Sequence, residues 1–430
     1  MMSPFAVFHV SSIGVAVFLS GCSDARTPAT GPATSSSDPA TTAGSGSGGA
    51  SSTSSSSGTG GGYPAPVPDQ ATTYQCNPLH TGDQPGDTLA PPLTQRWTLD
   101  LHGAVSYPLI AEGRVFVTVT NADAQMVPQP GAKLFALDQA TGKNAWGPVD
   151  LGGKGMSLAA YDDGHVFTVN SEGVVQSFDA ATGQVGWSLD LDTLTAFTAP
   201  PVATRGNLYI VGGGFVSTFR QSTGQMLWKH PLQGGAYTSP VIADAGIYIA
   251  IPGTCVRHFN VETGESDWSV YANCQGNEGR TPALFDGLLY VRNPPGGGKA
   301  SFLVDVAAQK ETGTFEADVI PAFYDKRGFF LFDGALAARD LPSQTQTWSF
   351  KGDGKLVSAP IVANGNVYIG SSSGMLYALD AQGGNMVWST DVGNPLLAPF
   401  ESTQSPTIAG IAVGGGALIV PAWQHLAAYW

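Results

Sequence analysis

Four cysteines are the residues of this chain best able to do chemistry, and their surroundings give them different roles. Cys22 ends the run Leu19-Ser20-Gly21-Cys22, directly after an apolar stretch from Phe5 to Leu19, so its thiol is placed for modification rather than for packing. Cys255 opens a strand-like run and Cys274 follows the hairpin partner of that run, so the two are expected side by side across one sheet. In an exported chain such a pair reads as a disulfide. It would close a loop of about 20 residues, worth roughly 3 kcal/mol in the chain-entropy account. Cys76 is left over and is expected as a small packed side chain. The acidic groups Asp162-Asp163-Gly164 and Asp190-Leu191-Asp192 fall where turns are expected, and Asp is favoured there for its local hydrogen bonding. Neither is read as a metal site. No serine-nucleophile elbow and no His-x-x-x-His zinc spacing is read from the chain. No residue is assigned a catalytic or metal-binding role.

The elements that carry these residues begin with an export signal. The stretch Phe5–Leu19 is too short to span a bilayer, which takes about 20 residues, and has the length of a signal-peptide core. Its continuation into Leu19-Ser20-Gly21-Cys22 resembles the bacterial lipoprotein signal, although the first eight residues hold no Lys or Arg. Residues 1–21 are therefore expected to be removed, with lipid on Cys22. From Thr27 to Gly62 nearly every residue is Ser, Thr, Gly, Ala or Pro, with Asp38 the lone charge. Such a segment buries too little apolar surface to offset its ordering entropy. As a coil of about 36 residues it spans roughly 30–35 Å, enough to hold a domain clear of a membrane. Residues 22–62 read as tether and 63–92 as an N-terminal extension.

Beyond residue 92 the chain is built for strands. It carries 56 Gly and 30 Pro with only 12% charged residues, and its apolar runs are short and rich in Val, Ile, Tyr and Phe, the pattern of an all-β protein. The net charge of −14 argues against nucleic acid, whose phosphates need clustered Lys and Arg. Runs opening at Gly113, Gly164, Gly206, Gly246, Gly287, Gly328, Gly365 and Gly416 recur about every 40 residues, stretched to about 50 at the first and last intervals. A second unit follows most of them, as in Lys133–Trp146, KLFALDQATGKNAW. It reads as a hairpin in which Asp138 or Asp179 caps the turn, and Gly142 or Gly183 takes the φ > 0 position. The outgoing tryptophan packs between neighbouring sheets. Pro108, Pro200, Pro240, Pro282, Pro360 and Pro406 precede the Gly runs, as suits strands at an edge. Four strands per repeat make a propeller blade. Terminal tryptophans fall at Trp146, Trp187, Trp228, Trp268, Trp348 and Trp388; a degenerate hairpin at Thr312-Gly313, with Phe315 in the aromatic role, fills the gap between Trp268 and Trp348. The last repeat is one strand short and the segment around Trp97 is one strand over. The fold expected for 93–430 is an eight-bladed propeller of four-stranded antiparallel blades, closed by the strand around Trp97.

The run from Ala136 to Trp146, ALDQATGKNAW, looks like the tryptophan-docking repeat of the pyrroloquinoline quinone (PQQ)-type propeller family. That family includes quinoprotein dehydrogenases and the lipoprotein subunit of the outer-membrane β-barrel assembly machinery. The resemblance runs from about Tyr74 to Trp430. Dehydrogenases of this kind typically carry a vicinal Cys-Cys pair, a Ca²⁺ site and often a Cys-x-x-Cys-His haem segment. No two of the four cysteines are adjacent and no Cys-x-x-Cys occurs, so no cofactor is expected and the resemblance leans to the assembly lipoprotein. In a propeller the loops entering the inner strands line one mouth of the channel. Tyr107, Phe197, Tyr237, Asn277, Glu278, Arg280 and Lys355 are placed there, either as a funnel for a small polar ligand or peptide, or filling the mouth and pairing with one another. The expected protein is a monomeric, extracytoplasmic, lipid-anchored module that binds a protein partner at the cell envelope, with a small-ligand- or PQQ-binding propeller as the alternative.

Overall fold

The structure, a computed structural model, describes residues 67–123, 127–192, 196–232, 238–244, 246–251, 255–271, 280–293, 300–401 and 405–430. The chain divides into two compact units, Met1–Thr59 and Gly60–Trp430, and all described residues lie in the second. Cys22, the signal segment and the whole tether therefore lie outside the described residues. So does Cys274, and with it the pairing expected for Cys255.

Eight antiparallel sheets follow one another around a ring. Blade 2 shows the plan, with strands Ser157–Asp162, His165–Asn170, Val174–Asp179 and Val185–Asp190 in order from the axis outwards. Blade 1 runs from Ala104–Val105 to Asn144–Gly152, blade 3 from Val202–Thr204 to Met226–Pro231, and blade 4 from Val241–Ile242 to Ser266–Val270. Blade 5 runs from Ala283–Phe285 to Lys310–Phe315, blade 6 from Ala322–Tyr324 to Thr345–Phe350, and blade 7 from Ile361–Ala363 to Met386–Asp391. Burial follows position. The second strand of blade 4, Gly246–Ile251, is buried at every residue because blades flank it on both faces. The outer strand Val185–Asp190 alternates between exposed and half-buried.

Blade 8 supplies three strands from the C-terminus, Ala412–Gly414, Ala417–Ala422 and His425–Tyr429. Its fourth is Gln95–Asp100, paired antiparallel with His425–Tyr429 so that Trp97 stands opposite Ala428. The ring is thus closed by the strand the sequence had in excess, which leaves no blade with an unpaired third strand.

Adjacent blades are joined by one repeated contact. The indole N–H of Trp97 donates to the Gln139 carbonyl at 2.8 Å, Trp146 to Ala180 at 2.9 Å, Trp187 to Gln221 at 2.6 Å, Trp228 to Val261 at 3.1 Å and Trp348 to Ala381 at 3.2 Å. Each acceptor opens the hairpin turn of the next blade, whose glycine lies under the same ring. The turns are held as expected: Thr141 donates to the Asp138 carboxylate from both N–H and hydroxyl, as Thr182 does to Asp179. These bonds pull both carboxyls below their ordinary range, the threonine hydroxyl contributing most. Two tryptophans sit differently. Trp268 stacks on His258, with ring centroids 5.0 Å apart, and Trp388 meets Tyr429 edge-on. Blade 5 also departs from the expectation for Phe315. Gly313, opposite Leu303, holds the tryptophan's register position, whereas Phe315 turns inward onto Tyr290 and Phe330.

The N-terminal extension has a role its composition did not suggest. Residues 71–84 circle the axis and meet the eight blades in order. Ala71 bridges to Ile110 of blade 1, the Thr72 carbonyl accepts from Tyr161 N–H of blade 2, and the Thr73 hydroxyl donates to the Pro201 carbonyl before blade 3. The carbonyls of Pro78, Leu79, Thr81 and Gly82 accept from the N–H groups of Ile242, Leu284, Phe323 and Val362 in blades 4 to 7. Gln84 Nε2 donates to the Val413 carbonyl of blade 8 at 2.8 Å, and Asp83–Gln84 adds a parallel strand to blade 7. The inner strands are edges with unpaired main-chain groups, and this segment pairs them.

Candidate functional site

Near that segment lies a buried charged group, whose carboxylate acts on Tyr74 and His80. Glu401, in the connection between blades 7 and 8, has no solvent exposure, and Arg292, after the second strand of blade 5, is 4% exposed. Arg292 Nη2 lies 2.6 Å from Glu401 Oε1. The other carboxylate oxygen accepts the Thr281 N–H at 2.5 Å, and Arg280 Nη1 donates to the Glu401 carbonyl at 2.9 Å. One acid thus ties the start of blade 8 to blade 5, three blades round the ring. Tyr74 rises into the same space from the encircling segment and packs on Tyr107, with ring centroids 5.4 Å apart. Burial, then the Glu401 charge, holds the Tyr74 phenol well above its ordinary range, and burial does the same to Tyr107.

The mouth residues read from the sequence separate on this frame. Tyr107 is buried and its hydroxyl donates to the Ala159 carbonyl at 2.6 Å. Arg280 joins the Glu401 group, with its guanidinium 6.0 Å from the exposed Phe400 ring. Phe197 is buried between blades 2 and 3, against Gly173 and Gly212, where an added Cβ would meet its ring at 2.6 and 2.3 Å. Lys355 is solvent-exposed. Tyr237, Asn277 and Glu278 lie outside the described residues. Arg292, Glu401 and Tyr74 were missed. A signal existed for Glu401, the single Asp, Glu, Lys or Arg between Val392 and Trp430.

Other chemistry-bearing residues are committed to structure. Gly370-Ser371-Ser372-Ser373-Gly374 matches Gly-x-Ser-x-Gly, contrary to the sequence reading. It is the turn between strands Asn366–Gly370 and Met375–Asp380 rather than a strand-to-helix elbow. There Ser371 donates to Asp353 at 2.6 Å. A cleft of 590 Å³ between blades 6 and 7 is lined by Tyr324, Lys326, Arg327, Asp340 and Asp380, among others. Its Arg327 is held by Asp340 at 3.1 Å and by the Ala381 carbonyl at 2.9 Å. Among the described residues no three His, Cys, Asp or Glu side chains converge as for a metal.

Two titratable groups of the encircling segment are held away from their ordinary behaviour. Burial pushes the Asp83 carboxyl up to about 7, against 3.8 unperturbed. Burial also lowers the His80 imidazole, although Nδ1 lies 2.8 Å from the Tyr74 carbonyl and Nε2 3.1 Å from that of Pro240. For Asp83 the raised native value means the native state keeps a proton that the unfolded chain loses. Its contribution to stability is intact below pH 4, falls as pH rises to 7, and is then level. With part of the penalty relieved by the residual solvent access of Asp83, Asp83→Asn should gain about 2 kcal/mol over wild type at pH 8 and nothing at pH 3.5. Urea unfolding at the two pH values reads the difference; an equal effect at both would contradict this account.

Comparison with known proteins places the fold. The family described as outer membrane protein assembly factor BamB matches residues 94–198, 171–317 and 309–422. The outer membrane protein assembly factor BamB of Yersinia pestis is 25% identical over 256 residues, 54% of this chain and 65% of that protein. A tetrathionate hydrolase of Acidithiobacillus ferrooxidans is 24% identical over 37% of this chain and 36% of its own length. The chain therefore spans less than two thirds of either relative. The crystal structure of BamB from Moraxella catarrhalis superposes with a TM-score of 0.58 at 14% identity, over 78% of this chain and 99% of that one, a likeness of fold.

Proposed function

Because the chain belongs to the family described as outer membrane protein assembly factor BamB, we propose that it is a non-catalytic propeller module for protein interaction at the bacterial cell envelope. The observation that carries this reading is that the chain fills its own axis. Residues 71–84 take the inner strand edges and Glu401 takes Arg292, so while that segment is in place recognition falls to the blade faces and the outer strands. Among the described residues no helix is long and apolar enough to cross a membrane. The proposal puts attachment on lipid at Cys22, with residues 22–62 as the tether, a Cys255–Cys274 disulfide on the oxidising side, and a monomeric propeller.

The residues fit PQQ poorly. A tricarboxylate needs cations free to receive it, and Arg292 is committed to Glu401 while Arg280 donates to the Glu401 carbonyl.

The test uses the full chain in a bacterial host. Wild type should fractionate with membranes and Cys22→Ser with the soluble protein, and crosslinking of the wild type should retain the same envelope protein in repeated purifications. A wild-type chain that retains no reproducible partner counts against the interaction role. A rise in melting temperature with bound quinone absorbance, on adding PQQ and Ca²⁺, would overturn the non-catalytic reading.

A further inference from the structure

Residues 71–84 complete the inner edges of the ring without belonging to its frame. Removing them in thought leaves the sheets of all eight blades and the closing strand Gln95–Asp100 intact, since only Asp83–Gln84 joins a sheet. Their contacts are chiefly main-chain. The carbonyls of Thr72, Pro78, Leu79, Thr81 and Gly82 receive blade N–H groups, and Ala71 exchanges both bonds with Ile110 at 2.9 Å. Such contacts recognise an extended backbone rather than particular side chains.

The segment also fits its place badly. Gln75, Cys76 and His80 take left-handed conformations, with φ of 57°, 70° and 56°, which disfavour residues bearing a Cβ. Four of its buried polar atoms, Tyr74 Oη, Gln75 Nε2, Asp83 Oδ1 and Gln84 Oε1, have no hydrogen-bond partner among the described residues. The ring of His80 faces a carbonyl at each nitrogen, and a neutral imidazole has one N–H to offer them. Strain and unmet hydrogen bonding concentrated in one segment are marks of an element that changes state.

We propose that the inner strand edges around the axis form a strand-accepting surface, that residues 71–84 leave it as a unit while the blades stay folded, and that the occupant replacing them is another extended polypeptide strand. The surface and its occupant are independent of the lipid anchor.

Cys76 reports the release. It is 2% exposed, and burial pushes its thiol up to about 12, so it reacts only when the segment leaves. In the full chain, alkylation of Cys76 by N-ethylmaleimide, read by mass spectrometry of its peptide, should keep pace with hydrogen exchange at the Ile242, Leu284, Phe323 and Val362 amides. Both should run at least tenfold faster than exchange in the second strand Asn366–Gly370. A labelled synthetic peptide of residues 70–85 carrying Cys76→Ser should be retained by the wild-type chain. The variant Ala71→Cys/Ile110→Cys, whose positions form a hydrogen-bonded pair within disulfide reach, should lose both the fast labelling and the peptide when oxidised and regain both when reduced. Labelling of Cys76 no faster than second-strand exchange, or peptide retention that is absent or unaffected by the pinning disulfide, overturns the proposal.

Discussion

Arg292→Ala is expected to destabilise the propeller by about 3–5 kcal/mol, because it strands a carboxylate that has no solvent exposure. Glu401 has other donors, the Thr281 N–H on its carboxylate and Arg280 on its carbonyl, but neither replaces a charge at 2.6 Å. The converse change, Glu401→Ala, leaves Arg292 buried with the Asp318 and Thr281 carbonyls as weak acceptors at 3.3 and 3.5 Å, and a similar loss is expected. The double change Arg292→Met/Glu401→Leu separates pairing from position. A buried ion pair replaced by apolar side chains of similar volume is often neutral or stabilising, so the double variant should recover most of what either single alanine loses. Urea unfolding of the four proteins at pH 7 measures this. Single variants within about 0.5 kcal/mol of wild type, the range of ordinary surface changes, would show that the pair does not tie blade 5 to blade 8.

This pair marks where sequence reading stopped. The blades were legible because each is written by a local pattern repeated many times. Pro before the inner strand, Gly at the turn into the second, and Trp on the fourth each have a reason within a few residues. Even the closure could be counted, since one strand was lacking at the end and Trp97 began one too early. What fills the axis obeys no such repeat. Glu401 and Arg292 stand 109 residues apart in connections of unrelated composition, and their meeting depends on the ring having closed. Residues 71–84 likewise have few apolar residues and no strand pattern; they are ordered by edges that exist only once the blades do. Phe315 shows the same limit on a smaller scale. An aromatic residue at nearly the right spacing turned inward, because the register of blade 5 puts Gly313 opposite Leu303.

Gly183→Ala should cost about 3–5 kcal/mol, whereas Gly206→Ala should cost about 1–2 kcal/mol, although the two glycines share one backbone conformation. Their φ values are +75° and +76°, so the left-handed penalty on a side chain is common to both. The surroundings differ. An added Cβ at Gly206 meets nothing within 4 Å, while one at Gly183 lies 2.6 Å from the Trp146 ring, closer than packed atoms approach, so ring or turn must shift. The ring cannot move freely, because its N–H is held by the Ala180 carbonyl three residues before that glycine. Trp146→Ala alone should cost about 3–5 kcal/mol through lost burial and the cavity left. The informative variant is the double one. With the ring gone, Gly183→Ala should fall back to the cost seen at Gly206, leaving a coupling of about 2 kcal/mol between the positions. If the two losses add instead, the repeated Thr-Gly turn serves only its own backbone. If they couple, each Thr-Gly is half of a joint whose other half is the tryptophan of the preceding blade, and the repeat read from the sequence is the unit of ring assembly.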